Sequence, residues 1–217
     1  EIKKKTIMQE ILMTKDNPTK LLSSSALRVF FGDHPLAQEV IGSPETVQNA
    51  TIEELKKYQN CLFTPERSAV VVASNLPHDE ILKLVAGYFE SWEPGVLPMI
   101  KEKYQVSKDH EKYLYVPHSN KQTSVMINFH TPGIENIKEE AALVILASYL
   151  GSGSKAFLQE KLRHETGLVY TVSVSNIRYT DAGIFQIRTS SSEPIKTIKI
   201  IFDSLSNFLN NISPAEI

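Results

Sequence analysis

Two β-like runs, Val169 to Ile177 and Gly183 to Thr189, flank the turn-forming stretch RYTDAG. The first carries Val172 and Val174 at the period of two that puts side chains on one face of a strand. Strands joined by so short a connection pair antiparallel, because a parallel return needs a crossover of about a dozen residues or more. This hairpin argues against a doubly wound parallel sheet. Its apolar face must be covered, and helical segments stand on either side to cover it. Glu139 to Leu150 reads as an apolar helix, Lys155 to about Glu165 as another, and Ile195 to Leu209 as a long amphipathic one. The expected fold class is α+β, with mixed or antiparallel sheets and packed helices.

The N-terminal half is richer in helices. Glu1 to Met13 places Ile7, Met8, Ile11 and Leu12 on one helical face. Pro18 disfavours helix at Asn17, and Leu21 to Phe31 reads as a second helix. Thr51 and Glu54 form a capping box for a helix to about Cys61. SAVVVAS, Ser68 to Ser74, is a continuous β-branched run, expected as a strand buried on both faces. Pro77 to Trp92 returns to helical spacing. YLYV and TSVMINF then read as strands. The intervening EPGVLPMIKEKYQVSKD breaks every periodicity and reads as a linker between domains.

Composition narrows the function classes. The 217 residues are 41% hydrophobic and 22% charged, the profile of an ordinary globular protein. A formal charge of −2 argues against a broad nucleic-acid surface. Cys61 is the only cysteine, so no intrachain disulfide forms. No stretch approaches the roughly 20 apolar residues of a membrane span. Both ends read as cut. Helix begins at Glu1 without a cap, and Ser213, Pro214 and Glu216 announce a helix that has no room to form. The chain reads as an internal fragment of a longer protein.

Few motifs carry chemistry on their own. No two of His34, His78, His110, His118, His130 and His164 stand three or four residues apart, so no helical pair can grip zinc. GSGSK at Gly151 to Lys155 lacks the glycine spacing of a phosphate loop and follows a helix rather than a strand. Glu10 lies off the apolar face of its helix, beside Thr6 and Met13, where a solvated carboxylate is the plain reading. LRHETGLVYTVSV is the unusual stretch. Arg163 ends a helix, Gly167 can take the left-handed conformation that closes it, and Tyr170 opens a strand. Arg163 as a dipole-complementing cation and Tyr170 as a packing residue would account for both.

The same stretch, followed by RYTDAGIFQI, resembles the inverzincin metallopeptidases of the pitrilysin, insulin-degrading and mitochondrial processing peptidase family. The likeness is to bacterial members of the processing-peptidase type. TIMQEI is similar to the family's third-ligand helix. DHPLAQEVIGSPETVQNATIEELKKYQ, FTPERSAVVVASNLPHDEILKLVAGYFESW, KQTSVMINFHTPG and YLGSGSKAFLQEKLR follow in the family's order. The resemblance therefore covers nearly the whole chain.

The resemblance implies repeated α+β domains that close like a clamshell on an unfolded peptide. Residues 1–92 would be the C-terminal part of the first, catalytic-type domain, and 93–108 a linker. Residues 109–217 would begin the second, substrate-binding, inactive-type domain. The implied function is zinc-dependent endopeptidase action on peptides or unfolded segments. Glu10 would be the third zinc ligand, and Arg163 and Tyr170 would face the carbonyl under attack. The family's H-x-x-E-H motif is absent from this sequence, so Zn2+ is expected in the longer protein and not in this fragment, and activity is not expected from the fragment alone. Lys3 stands where active relatives often carry another acid. The alternatives are a non-catalytic partner subunit that supplies Arg163 and Tyr170 to an active chain, or a structural core subunit. The implied partners are a peptide substrate and, in a homodimer or heterodimer, a related subunit.

Overall fold

The computed structural model describes residues 1–95, 113–119 and 121–211. In chain order its elements are α1 (Ile2–Asp16), α2 (Pro18–Phe31), α3 (Pro44–Asn49), α4 (Ile52–Leu62), α5 (His78–Phe89), β1 (Thr123–Thr131), α6 (Ile137–Gly151), α7 (Phe157–Gln159), β2 (Val169–Arg178), β3 (Gly183–Ser191) and α8 (Pro194–Asn211). A π-helical turn, Glu160–His164, continues α7. The chain divides into two compact units, one of Glu1–Ser43 with Lys103–Ile217 and the other of Pro44–Glu102. Beyond residue 95, the linker expected at 93–108 lies outside the described residues, as does the helix start expected at Ser213.

The first unit is built on an antiparallel sheet of order β1-β3-β2. The hairpin expected from RYTDAG is β2–β3, and β1 adds to the far side of β3. Alternation sorts the side chains between two faces. Ile127, Phe129, Val172, Phe185 and Ile187 join Leu150, Leu158, Leu162 and Ile201 in the main core. The helices that bury this face are α6, α7 with its π turn, and α8. The opposite face is apolar at one end only, where Ile184 and Ala182 meet Phe30, Phe31 and Ala37. Toward the other end it carries Asn128, Gln186 and Arg188.

Asn17 explains the break between the first two helices. Its extended backbone ends α1, and its side chain accepts hydrogen bonds from the Thr19 and Lys20 amides. Pro18 follows at the first helical position, where its missing N–H costs nothing. α2 therefore starts at Pro18, earlier than the apolar spacing from Leu21 predicts. α1 buries Ile11, while Leu12, expected on the same face, is exposed.

The second unit holds α3, α4 and α5. The Thr51–Glu54 capping box is formed in both directions. Among the described residues of this unit only Thr64 is buried. The run Ser68–Ser74 is not a strand there, and Val71 is 91% exposed. β-branched sequence favours extended backbone, but a strand also needs a ladder partner, and the described residues of this unit contain no other strand. YLYV likewise has no ladder partner, and its residues carry no strand.

Candidate functional site

Arg163 and Tyr170 are brought together by the way α7 ends. The π turn places the Glu165 amide on the Glu160 carbonyl at 2.9 Å, one residue further round than an α-helix allows. Such turns widen a helix locally and recur at functional sites. Gly167 then takes φ +64°. Its amide donates to the Arg163 carbonyl at 3.0 Å, and the Leu168 amide donates to the Leu162 carbonyl at 3.0 Å. The first is the 5→1 bond of an αL closure, with Gly167 as its left-handed residue, and the second reaches one residue further back than a Schellman bond would. Leu162 and Leu168 are both in the main core, supplying the apolar contact that accompanies this closure.

The chain reverses and enters β2 through a bulge. The strand register shifts between Val169 and Val172, opposite Ser191 and Thr189. Val169 and Val172 both enter the core, so Tyr170 and Thr171 between them are turned outward. A bulge leaves backbone groups without ladder partners, and here a buried side chain supplies them. Gln159 Nε2 donates to the Tyr170 carbonyl at 3.3 Å, and its Oε1 accepts from the Val172 amide at 2.9 Å. The Ser191 hydroxyl donates to the Leu168 carbonyl at 3.0 Å, fixing the strand entrance from the other side.

The Arg163 guanidinium carbon then lies 4.8 Å from the centre of the Tyr170 ring. That is within the range of a cation–π contact, typically about 0.5–1 kcal/mol at exposed sites. Tyr170 is 77% exposed, so its ring is not a packing residue of the core. Glu165, the nearest acid in sequence, is taken by Lys161 at 2.6 Å. Among the described residues Arg163 has no acidic partner. The pair presents a phenol and a guanidinium, both hydrogen-bond donors, to the same side of the chain's surface.

Glu10 is exposed on α1. Zinc takes three or four protein ligands, and Glu10 offers one carboxylate. Among the described residues no three His, Cys, Asp or Glu side chains stand together to hold a metal ion. The described residues therefore do not build a zinc site by themselves.

Gln159 is the residue that sequence reasoning missed. Its signal was available: a polar side chain at the position where helical spacing turns Leu158 and Leu162 inward.

An α+β unit with a π-turn arginine stacked on a bulge tyrosine defines the class to look for. Residues 49–217 match the peptidase M16 inactive domain, and the chain belongs to this family of zinc peptidases and their relatives. An uncharacterized zinc protease of Mycobacterium bovis is 31% identical over 189 residues, covering 86% of this chain and 43% of that protein. The chain thus spans less than half the length of this relative. The peptidase M16 inactive domain structure from Pseudomonas fluorescens superposes with a TM-score of 0.86 at 21% identity, covering 98% of this chain and 52% of that one. A chain of Complex III2 from Candida albicans gives 0.82 at 15% identity, with 98% and 52% covered. These two likenesses establish the shared α+β fold. No helix of the described residues is long and apolar enough to cross a membrane.

Proposed function

We propose that this chain is part of a zinc-dependent endopeptidase that hydrolyses peptides or unfolded protein segments. In this reading residues 1–92 close its first domain, 93–108 link, and 109–217 open its second. Glu10 contributes one zinc ligand, and the rest of the set comes from elsewhere in the longer protein. Arg163 and Tyr170 bind the carbonyl oxygen of the scissile peptide and hold the negative charge that develops on it. The observation that carries this is the exposed Arg163–Tyr170 stack, fixed by Gly167 and Gln159 and with no acid paired to it among the described residues. Donors aimed at a developing oxyanion act without reorganising, and losing one typically costs on the order of 10²–10³ in rate. The test is Tyr170→Phe in the full-length protein, which deletes the hydroxyl alone. A fall in kcat of that size with little change in KM is expected. Unchanged hydrolysis by the folded variant would return Tyr170 to a purely structural role.

A second reading has a specific observation in its favour: the matched domain is the inactive one of its family. Here the chain belongs to a partner subunit that lends Arg163 and Tyr170 to an active relative. The full-length protein would then cleave peptides only when mixed with that relative, and Tyr170→Phe would weaken the mixture alone.

A further inference from the structure

Arg188 sits in the middle strand of the sheet, on the face turned away from the main core. Its Nη2 donates to Gln186 Oε1 at 3.0 Å, and Gln186 Nε2 donates to Asn128 Oδ1 at 3.0 Å. Gln186 is itself buried. The guanidinium is thus anchored by a neutral relay and has no counter-charge among the described residues. Its Nε is buried with no hydrogen-bond partner. The ion pairs among the described residues join Lys161 to Glu165, Arg178 to Glu140 and Lys196 to Glu193, and none includes Arg188. A half-buried charge with an unused donor is costly unless something supplies the opposite charge.

Beside Arg188 is a hollow of about 380 Å³ between the start of α2 and the segment Ala37–Ile41. Lys20 and the hydroxyl side chains of Thr14 and Thr19 line it, and so does Glu39. Glu39 is exposed and forms no ion pair with either cation among the described residues. The hollow is therefore a mostly apolar-and-hydroxyl cleft with two cations against one solvated acid. A carboxylate fits this chemistry, since a guanidinium fork can meet its two oxygens with parallel N–H groups.

The strand register relates this hollow to the Arg163–Tyr170 pair. Ser173 is the β2 partner of Arg188, and Tyr170 lies three residues before it. At about 3.3 Å per strand residue, Tyr170 lies roughly 10 Å along β2 from the position paired with Arg188. An extended peptide covers that distance in about three residues.

We propose that Arg188 and Lys20 form a specificity subsite for an acidic side chain of the substrate, about three residues from the peptide bond held by Arg163 and Tyr170. This rests on the peptidase reading above. The test uses the full-length protein and peptide pairs that differ only by Glu against Gln, scanned through the positions flanking the scissile bond. Binding is read by fluorescence anisotropy with turnover blocked by a chelator, and cleavage by kcat/KM without it. At one position Glu is expected to be preferred roughly 10-fold, the scale of one hydrogen bond to a charged group. Arg188→Gln should abolish the preference and Lys20→Gln should reduce it, while both variants still bind the Gln peptide. Glu39→Gln, which removes the competing carboxylate, should increase it. Equal handling of Glu and Gln peptides by the unaltered protein, both being cleaved, overturns the subsite and leaves the peptidase reading standing. A preference that survives in Arg188→Gln also overturns it. A protein that binds neither peptide overturns both readings.

Discussion

The Gln159 amide spans the β2 bulge, donating at 3.3 Å to the Tyr170 carbonyl while accepting at 2.9 Å from the Val172 amide. One buried side chain thereby satisfies a donor and an acceptor that the strand ladder leaves open. It also decides where the Tyr170 backbone sits, and hence where the phenol stands against Arg163. Gln159→Leu keeps the volume and removes both bonds. It should cost about 1–3 kcal/mol, the penalty for buried polar groups left without partners. Urea denaturation would measure it, and an unshifted midpoint would show that water replaces the amide. In the peptidase reading, hydrolysis by the full-length protein should fall as well, because the tyrosine loses its backbone anchor.

Gly167 offers a separate way to disturb the same pair. Its φ is +64°, and a Cβ added there would meet nothing within 4 Å. Any cost of Gly167→Ala is therefore conformational, not steric crowding, and is expected at about 1–2 kcal/mol. Gly167→Asn should cost less, since asparagine tolerates the left-handed region. The order Gly, Asn, Ala in melting temperature would support this account. A more stable alanine variant would contradict it.

Much of this arrangement is legible in the sequence, and the limits have physical causes. Gly167 could be read as a helix-closing residue because only glycine takes that backbone shape without penalty. The capping box at Thr51 and Glu54 could be read because its bonds are local. The helix spacing of Lys155 to Glu165 does not reveal the π turn, since periodicity cannot register one extra residue inside a single turn. The bulge is equally hidden, because Val169 and Val172 enter the core out of strict alternation. Ser68 to Ser74 is the clearest departure. Its composition predicts extended chain, but pairing depends on a neighbour that no local pattern encodes. Arg188 is legible only as a polar residue between Ile187 and Thr189. Its lack of a counter-charge among the described residues is a property of the folded sheet.

Tyr179 gives the unit of the sheet an alkaline limit. Its ring meets Phe31 edge-on at 5.7 Å beside the smaller core. Burial raises its pKa above the ordinary value of 10.0, because the phenolate is poorly solvated there. The folded state then holds its proton more tightly than the unfolded chain does. The stability so gained is fully present below the unfolded pKa and is lost as pH rises through the folded one. Stability should therefore fall as pH climbs past about 10. Tyr179→Phe keeps the ring and should flatten that part of the profile. Parallel pH profiles of melting temperature for the two proteins would contradict it.

The segment 44–95 should not fold by itself. α4 has 11 residues and α5 has 12, and isolated helices shorter than about 12–15 residues are marginal in water. Tertiary burial would have to make up the difference, yet Leu55 of α4 is 62% exposed and Tyr88 of α5 is 81% exposed. Between these helices Val70, Val71 and Val72 stand in water without a ladder. At roughly 25 cal/mol per Å² of apolar surface removed from water, a unit that buries so little gains little. A peptide of residues 44–95 should show weak helical circular dichroism and no cooperative melting. In the full-length protein, which is about twice this chain's length if it follows its relatives, the amides of Ser68–Ser74 should be protected from hydrogen exchange by a strand drawn from the remainder. Rapid exchange there in the intact, folded protein would show that the run stays unpaired, and a sharp melting transition of the isolated peptide would show that it carries a core of its own.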